Sequence, residues 1–376
     1  MIWTRRLMRT AFIFFVTMTA PTYESNADIR TDWIRIYDTE AMRRVTELET
    51  DGRRLYAGTK EGLHISDDDG YTWRLTLDVE HCIAITSHQN TVYAGTYYDG
   101  VFRSENHGVT WKPINNGFRK FDWREGESSY GNIKQILAIG DGTVITTVRP
   151  HTYTSADRGE TWQDVSEEWK VRQWEAPDWI FGRDIDLMAE FDGYLWVAAW
   201  SQILRSPDNG KTWEYAGTRN EGFVWATDWA VLNNRLYIAA EKHYSSRNRS
   251  DKGFFARYGG ALHWEVLNQG LPPHDVETTE FYGVPMVLRT HLTNIESLAV
   301  NRGRLFAGLN RRGVYMFDER SERWIPAGLD GLTVTSIVSH QSNLYAATGE
   351  GIYRASIPVV QPHGKAAATW GAVKRQ

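Results

Sequence analysis

Paired acids are the first residues to weigh, because a glycosidase needs two carboxyls flanking the scissile bond. Asp122/Glu125, Glu167/Glu168 and Asp184/Asp186 are such pairs, although adjacent acids are more commonly solvated loop charge. Asp67-Asp68-Asp69-Gly70 has the acidic density of a calcium loop but lacks its spacing and its later Glu. Gly210-Lys211-Thr212 ends like a phosphate loop, yet Arg205 stands where the upstream Gly belongs. The single cysteine, Cys82, excludes an internal disulfide framework and a Cys-based zinc cluster. Neither a metal nor a cofactor is expected.

A second chemistry lies in aromatic residues set beside arginines. The chain has 17 Trp, 18 Tyr and 14 Phe among 376 residues. Several fall in irregular stretches with charged neighbours. Phe121-Asp122-Trp123-Arg124 is one such stretch, and Trp169, Trp174, Trp179 and Arg183 form another. Trp200, then His243 and Tyr244 near Arg247 and Arg249, then Phe281, Tyr282 and Arg289, then Arg311 and Arg312 follow. Flat apolar faces beside directional polar groups suit a sugar or an extended peptide. The expected ligand residues are Trp123, Arg124, Trp174, Trp179, Arg183, Trp200, His243, Tyr244, Arg311 and Arg312. The competing reading is that some of these Trp cap the loops as a small core of their own.

The elements that must carry these loops are repeats. Ser66-Asp-Asp68-Asp-Gly70-Tyr-Thr72-Trp73 recurs as Ser104-Glu-Asn106-His-Gly108-Val-Thr110-Trp111. It returns as Ser155-Ala-Asp157-Arg-Gly159-Glu-Thr161-Trp162 and Ser206-Pro-Asp208-Asn-Gly210-Lys-Thr212-Trp213. Two worn copies end at Trp264 and Trp324, so the Trp-to-Trp steps are 38, 51, 51, 51 and 60 residues. A strand-like phrase appears seven times: Leu55–Thr59, Val92–Thr96, Val144–Thr147, Leu195–Ala199, Leu236–Ala240, Leu305–Gly308 and Leu344–Thr348. Turn pairs such as Asp51-Gly52, Asp192-Gly193 and Asn233-Asn234 precede these phrases and suit tight hairpins. The unit is four antiparallel strands, a to d, with the Ser-to-Trp motif between c and d.

Repeated around an axis, this unit predicts an all-β, seven-bladed β-propeller with four-stranded blades. The seventh phrase lacks a following Trp strand, and Asp32-Trp33-Ile-Arg-Ile-Tyr37 reads as that missing strand. The N-terminal strand is therefore expected to close the last blade, at about 46 residues per blade. Within each motif, Gly supplies a positive φ, the Asp carboxylate accepts turn amides, and Trp packs on the neighbouring sheet. Asp68, Trp73, Asn106, Trp111, Asp157, Trp162, Asp208 and Trp213 are read as structural.

The Ser-x-Asp-x-Gly-x-Thr-Trp motif resembles the Asp-box, or BNR, repeat over almost the whole chain. That superfamily includes sialidases, xyloglucan-type endoglucanases, sortilin-type receptor ectodomains and photosystem II stability/assembly factors with their bacterial relatives. The resemblance implies a propeller without choosing an activity. Sialidases carry a Phe/Tyr-Arg-Ile-Pro element; the nearest match here, Trp33-Ile34-Arg35-Ile36-Tyr37, lacks the Pro and lies on an outer strand. Xyloglucan-type hydrolases set acid and base between two propellers, and this chain has room for one. The likeness is greatest to the single seven-bladed, assembly-factor-like group, which implies binding or scaffolding without catalysis.

The strand order puts the a–b hairpins and the repeat motifs on one face. The length variation falls on the other: Gly117–Asn132, Glu167–Arg183, Glu241–Lys252 and Leu271–Asn294. Repeat proteins place insertions on the binding face. The expectation is a non-catalytic propeller that holds a glycan or protein segment there; the alternative is a glycoside hydrolase using the same face.

The ends complete the sequence picture. Arg5, Arg6 and Arg9, the apolar run Ala11–Ala20 and Ser25-Asn26-Ala27 have the three-part pattern of a signal peptide over residues 1–27. The propeller then spans 28–357, and 358–376 form a short basic tail. The run is too short for a membrane span. Without those 27 residues the net charge moves from −5 to −7, which argues against nucleic acid. Export to a bacterial periplasm or exterior, as a monomer, is expected.

Overall fold

The computed structural model describes residues 31–37, 39–40, 42, 45–124, 127–140, 142–148, 151–166, 168–169, 185–199, 202–216, 224–242, 253–258, 264–272, 275–281, 284–291 and 295–357. The signal-peptide segment 1–27 and the tail 358–376 lie outside them. All described residues belong to one compact unit beginning at Thr31. No described helix is long and apolar enough to cross a membrane.

The protein is an all-β propeller with four-stranded blades. Among the described residues the strands form seven four-stranded antiparallel sheets and two two-stranded ribbons. The first blade runs in order through Glu47–Thr50, Leu55–Thr59, Gly62–Ser66 and Arg74–Asp78. The second to sixth blades repeat this order from Cys82, Ile133, Ile185, Val224 and Ile295. A composite sheet joins Val334–His340, Asn343–Thr348 and Gly351–Ser356 to Trp33–Tyr37, with Trp33 opposite Ala355 and Ile34 opposite Arg354. The innermost strands pack on one another in chain order, and Val334–His340 packs in turn on Glu47–Thr50.

The seven phrases are the b strands, and their composition follows from where they sit. Leu55–Thr59, Thr91–Thr96 and Val144–Val148 are buried at every position, because sheets cover both of their faces. Their small residues admit the next blade. A Cβ on Gly95 would lie 2.4 Å from Ile133 Cγ2, and one on Gly308 would lie 2.5 Å from Val334 Cγ1. Larger side chains there would push adjacent blades apart.

At the outer edge, indole groups tie blades together. Trp162 Nε1 donates to the Ile114 carbonyl at 2.5 Å, Trp264 Nε1 to Ala216 at 3.1 Å, and Trp324 Nε1 to Leu267 at 2.8 Å. Trp33 Nε1 makes the same bond to Ala327 at 2.7 Å, and the Thr31 hydroxyl donates to that carbonyl as well. Each acceptor lies just past the d strand of the preceding blade.

Candidate functional site

The motif face is closed by its own hydrogen bonds. Asp157 accepts from the Ser155 hydroxyl at 2.7 Å, the Thr161 amide at 2.9 Å and the Thr161 hydroxyl at 2.6 Å. The Thr161 donors, followed by Ser155, hold its carboxyl down at about 2. Asp68 and Asp208 make the same three bonds, and Asn106 reproduces the pattern with its amide. Gly159 has φ +88, and a Cβ there would lie 2.4 Å from Ile114 Cδ1 of the preceding blade, so the turn needs glycine twice over. Trp162 is buried, whereas Trp73, Trp111 and Trp213 are half-buried. Neighbouring turns are also linked: Tyr56 Oη donates to Asp51 at 2.8 Å, and Asp51 meets His107 Nδ1 at 2.8 Å. Tyr345 Oη reaches the Asp69 carbonyl at 3.1 Å. The acidic side chains of Asp68, Asp157 and Asp208 and the amide side chain of Asn106, in the four intact motifs, are thus bonded within their own turns.

Along the axis, the edge of each a strand would expose unpaired amides. Side chains from the neighbouring blade accept them. Ile85 N donates to Glu47 Oε2 at 2.7 Å, Leu298 N to Asp228 Oδ2 at 2.6 Å, Leu48 N to Ser336 Oγ at 3.0 Å and Ile337 N to Ser297 Oγ at 3.1 Å. Bulges in these strands, such as those before Asp228, Ser297 and Ser336, aim the acceptors. Glu47, Glu49 and Asp228 keep some solvent contact but lie deep inside the ring. Desolvation pushes Glu47 well above the carboxylate range, Glu49 to about 7 and Asp228 to about 6; the Glu49 and Asp228 charges add to Glu47, and the Asp228 charge adds to Glu49. No group of three or more metal-ligating side chains occurs among the described residues.

The opposite face holds a groove of about 550 Å³ between the first and second blades. Leu77, Asp78 and Val79 form one wall, where the first blade's d strand ends; Tyr98 and Asp99, on the second blade's b–c turn, face them. Lys120, Ser128 and Tyr130 from the first insertion close the end. The walls are anchored. Tyr130 N and the Ser129 hydroxyl donate to the Tyr98 carbonyl at 2.9 and 3.2 Å, and Asn115 bridges Val101 N and the Asp99 carbonyl. Tyr97 and Tyr98 meet edge to face at 4.6 Å, with Tyr97 39% exposed. Lys120 Nζ lies 5.0 Å from the Tyr130 ring centre. Burial, then the nearby Glu80 carboxylate, raise Asp99 above its ordinary value.

The structure gives positions for only some of the ligand residues expected from the sequence. Arg311 and Arg312 do lie on the b–c turn of the sixth blade, with Arg311 exposed and its amide bonded to the Thr333 hydroxyl at 3.0 Å. Trp123 and Arg124 are in the strand Phe121–Arg124, which pairs with Glu127–Ser129 to make the first insertion a ribbon. Trp174, Trp179, Arg183, Trp200, His243 and Tyr244 lie outside the described residues. Trp169 is no surface platform: it is 3% exposed, meets Trp213 edge to face at 4.9 Å and packs under Gly210. Of the acid pairs, Glu125, Glu167 and Asp184 lie outside the described residues, while Asp186 is bound by Lys134 Nζ and Glu168 accepts from Gln163 at 3.2 Å. Sequence reasoning missed Tyr97, Tyr98 and Asp99. The available signal was a b–c turn reading Tyr97-Tyr98-Asp99-Gly100 where the first blade has Lys60-Glu61-Gly62.

No family model matches this chain, and no curated protein matches it. Solved structures do. The extracellular domain of the putative one-component system BT4673 from B. thetaiotaomicron aligns at TM-score 0.59 and 13% identity, over 86% of this chain and 39% of that one. The GH74 xyloglucanase from Xanthomonas campestris aligns at TM-score 0.59 and 13% identity, over 86% and 53%. YCF48 bound to D1 peptide aligns at TM-score 0.54 and 11% identity, over 87% and 97%. This chain thus spans well under half the length of the first of these and nearly all of the last. At such identities the likeness is one of fold.

Proposed function

We propose that this chain is an exported seven-bladed Asp-box propeller, closed by its N-terminal strand, that holds a glycan or a protein segment on its loop-rich face without catalysing a reaction there. Ring closure is supported by the Trp33 indole bond, which repeats the bond of Trp162, Trp264 and Trp324. Export rests on the signal-like residues 1–27 and agrees with the likeness to an extracellular domain.

The observation that carries the binding reading is the groove between the first two blades, with its tyrosines, acids and lysine on anchored walls. It lies on the face to which the strand order sends the insertions, opposite the face whose motif side chains are bonded within their own turns. Arg311, on the b–c turn of the sixth blade, is exposed on that same face. The likeness to YCF48, whose structure holds a D1 peptide, fits a propeller that scaffolds a segment. Catalysis by paired acids is disfavoured by Asp186, whose carboxylate is already engaged by Lys134.

A glycan array run beside a panel of chromogenic glycosides tests the reading. Retention without turnover is the expected result. Turnover of any glycoside that is lost on mutating an acid of the loop-rich face would replace binding with hydrolysis.

A further inference from the structure

We propose that the groove between the first two blades receives a Lys or Arg side chain of an extended peptide, with the cation between Asp78 and Asp99 and its stem against Tyr98. The inference rests on the reading of the loop-rich face as the binding face, and it narrows that reading to one ligand chemistry.

Charge carries the argument. Asp78 and Asp99 both line the groove, and neither carboxylate has a hydrogen bond or ion pair among the described residues. Glu80 lies close enough to raise the Asp99 carboxyl, so a third negative charge acts on the same place. The cation on the groove wall, Lys120, sits over the Tyr130 ring at the insertion end. An unrelieved negative pair beside tyrosine rings is complementary to an alkyl stem with a cationic head. A neutral sugar would leave these carboxylates without a counter-charge, and a phosphate or acidic glycan would add negative charge beside them. About 550 Å³ has room for a long side chain and the backbone that bears it. Asn115 and the Tyr98 carbonyl are already tied into the walls, whereas the two carboxylates have no partner within the fold among the described residues.

Fluorescein-labelled decapeptides of Gly, Ser and Ala carrying none, one or two Arg, titrated into the full chain by anisotropy, test this. A neutral cellohexaose titration runs in parallel. Affinity should rise with Arg count, and Asp78→Asn or Asp99→Asn should weaken it at least fivefold. Asp192→Asn, which removes the same charge from an a–b hairpin on the motif face, should leave it unchanged. That contrast separates a site from general attraction to a net-acidic protein. Both groove variants should melt with the parent chain, since neither carboxylate is bonded within the fold. Equal weakening by Asp192→Asn, or binding indifferent to Arg count, overturns the inference. Cellohexaose binding without peptide binding overturns it too, yet leaves the binding face standing. Silence in both titrations, combined with turnover of a chromogenic glycoside, removes the inference and the binding reading together.

Discussion

At the scale of single residues, the repeat motifs divide into a polar half and an aromatic half. Asp157 stitches its turn through three short bonds, so Asp157→Ala should lower stability by about 1–2 kcal/mol, given the modest net worth of exposed bonds. Trp162→Ala should cost more, about 3–5 kcal/mol, because it empties a buried aromatic site and strands the Ile114 carbonyl. Thermal melts of the two variants check both the losses and their order. If either variant lost ligand binding while melting like the parent, the motif would be a binding element and its structural assignment wrong.

At the scale of elements, Trp33–Tyr37 is the strand most distant in sequence from its partners, yet it makes the same edge bond as the d strands of intact blades. Trp33→Ala is expected to destabilise by roughly 3 kcal/mol, the low end for a Trp truncation, since Trp33 is only half-buried. The loss should be local in origin. Hydrogen exchange ought to quicken first in Gly351–Ser356, the strand that Trp33–Tyr37 covers, before other c strands respond. Uniform quickening across all sheets, or none in Gly351–Ser356, would place the strand outside the closing role.

At the scale of the whole molecule, the axis couples distant blades through acids. Glu49, at about 7, and Asp228, at about 6, hold protons in the native state that the unfolded chain releases near pH 4. Between those values the native state binds more protons, so their contribution is full below about pH 4 and is lost as pH rises toward 7. Asp157 acts in the opposite sense: held at about 2, its contribution is present above about pH 4 and fades only as pH falls toward 2. The melting temperature should therefore fall from pH 5 to pH 8, and Glu49→Gln should flatten that fall. A melting temperature that climbs through this window would mean that these carboxyls titrate normally.

What the sequence determined by itself was periodic. Seven strand phrases and four intact motifs are local patterns, written in side-chain burial and turn chemistry, so they can be read without knowing what lies across the axis. The strand at Trp33 was legible for the same reason, as a Trp-led phrase like those after the motifs. What only the tertiary structure decided was every contact between blades. Trp169 reads like a loop aromatic, but its indole fills the space under Gly210, which no local pattern announces. Glu47 and Asp228 sit in ordinary strand sequence, and only the packing of blades brings their charges within reach of each other. The groove is the same case: Asp78 and Asp99 are 21 positions apart on different blades, and proximity between blades is set by packing, which sequence spacing does not encode.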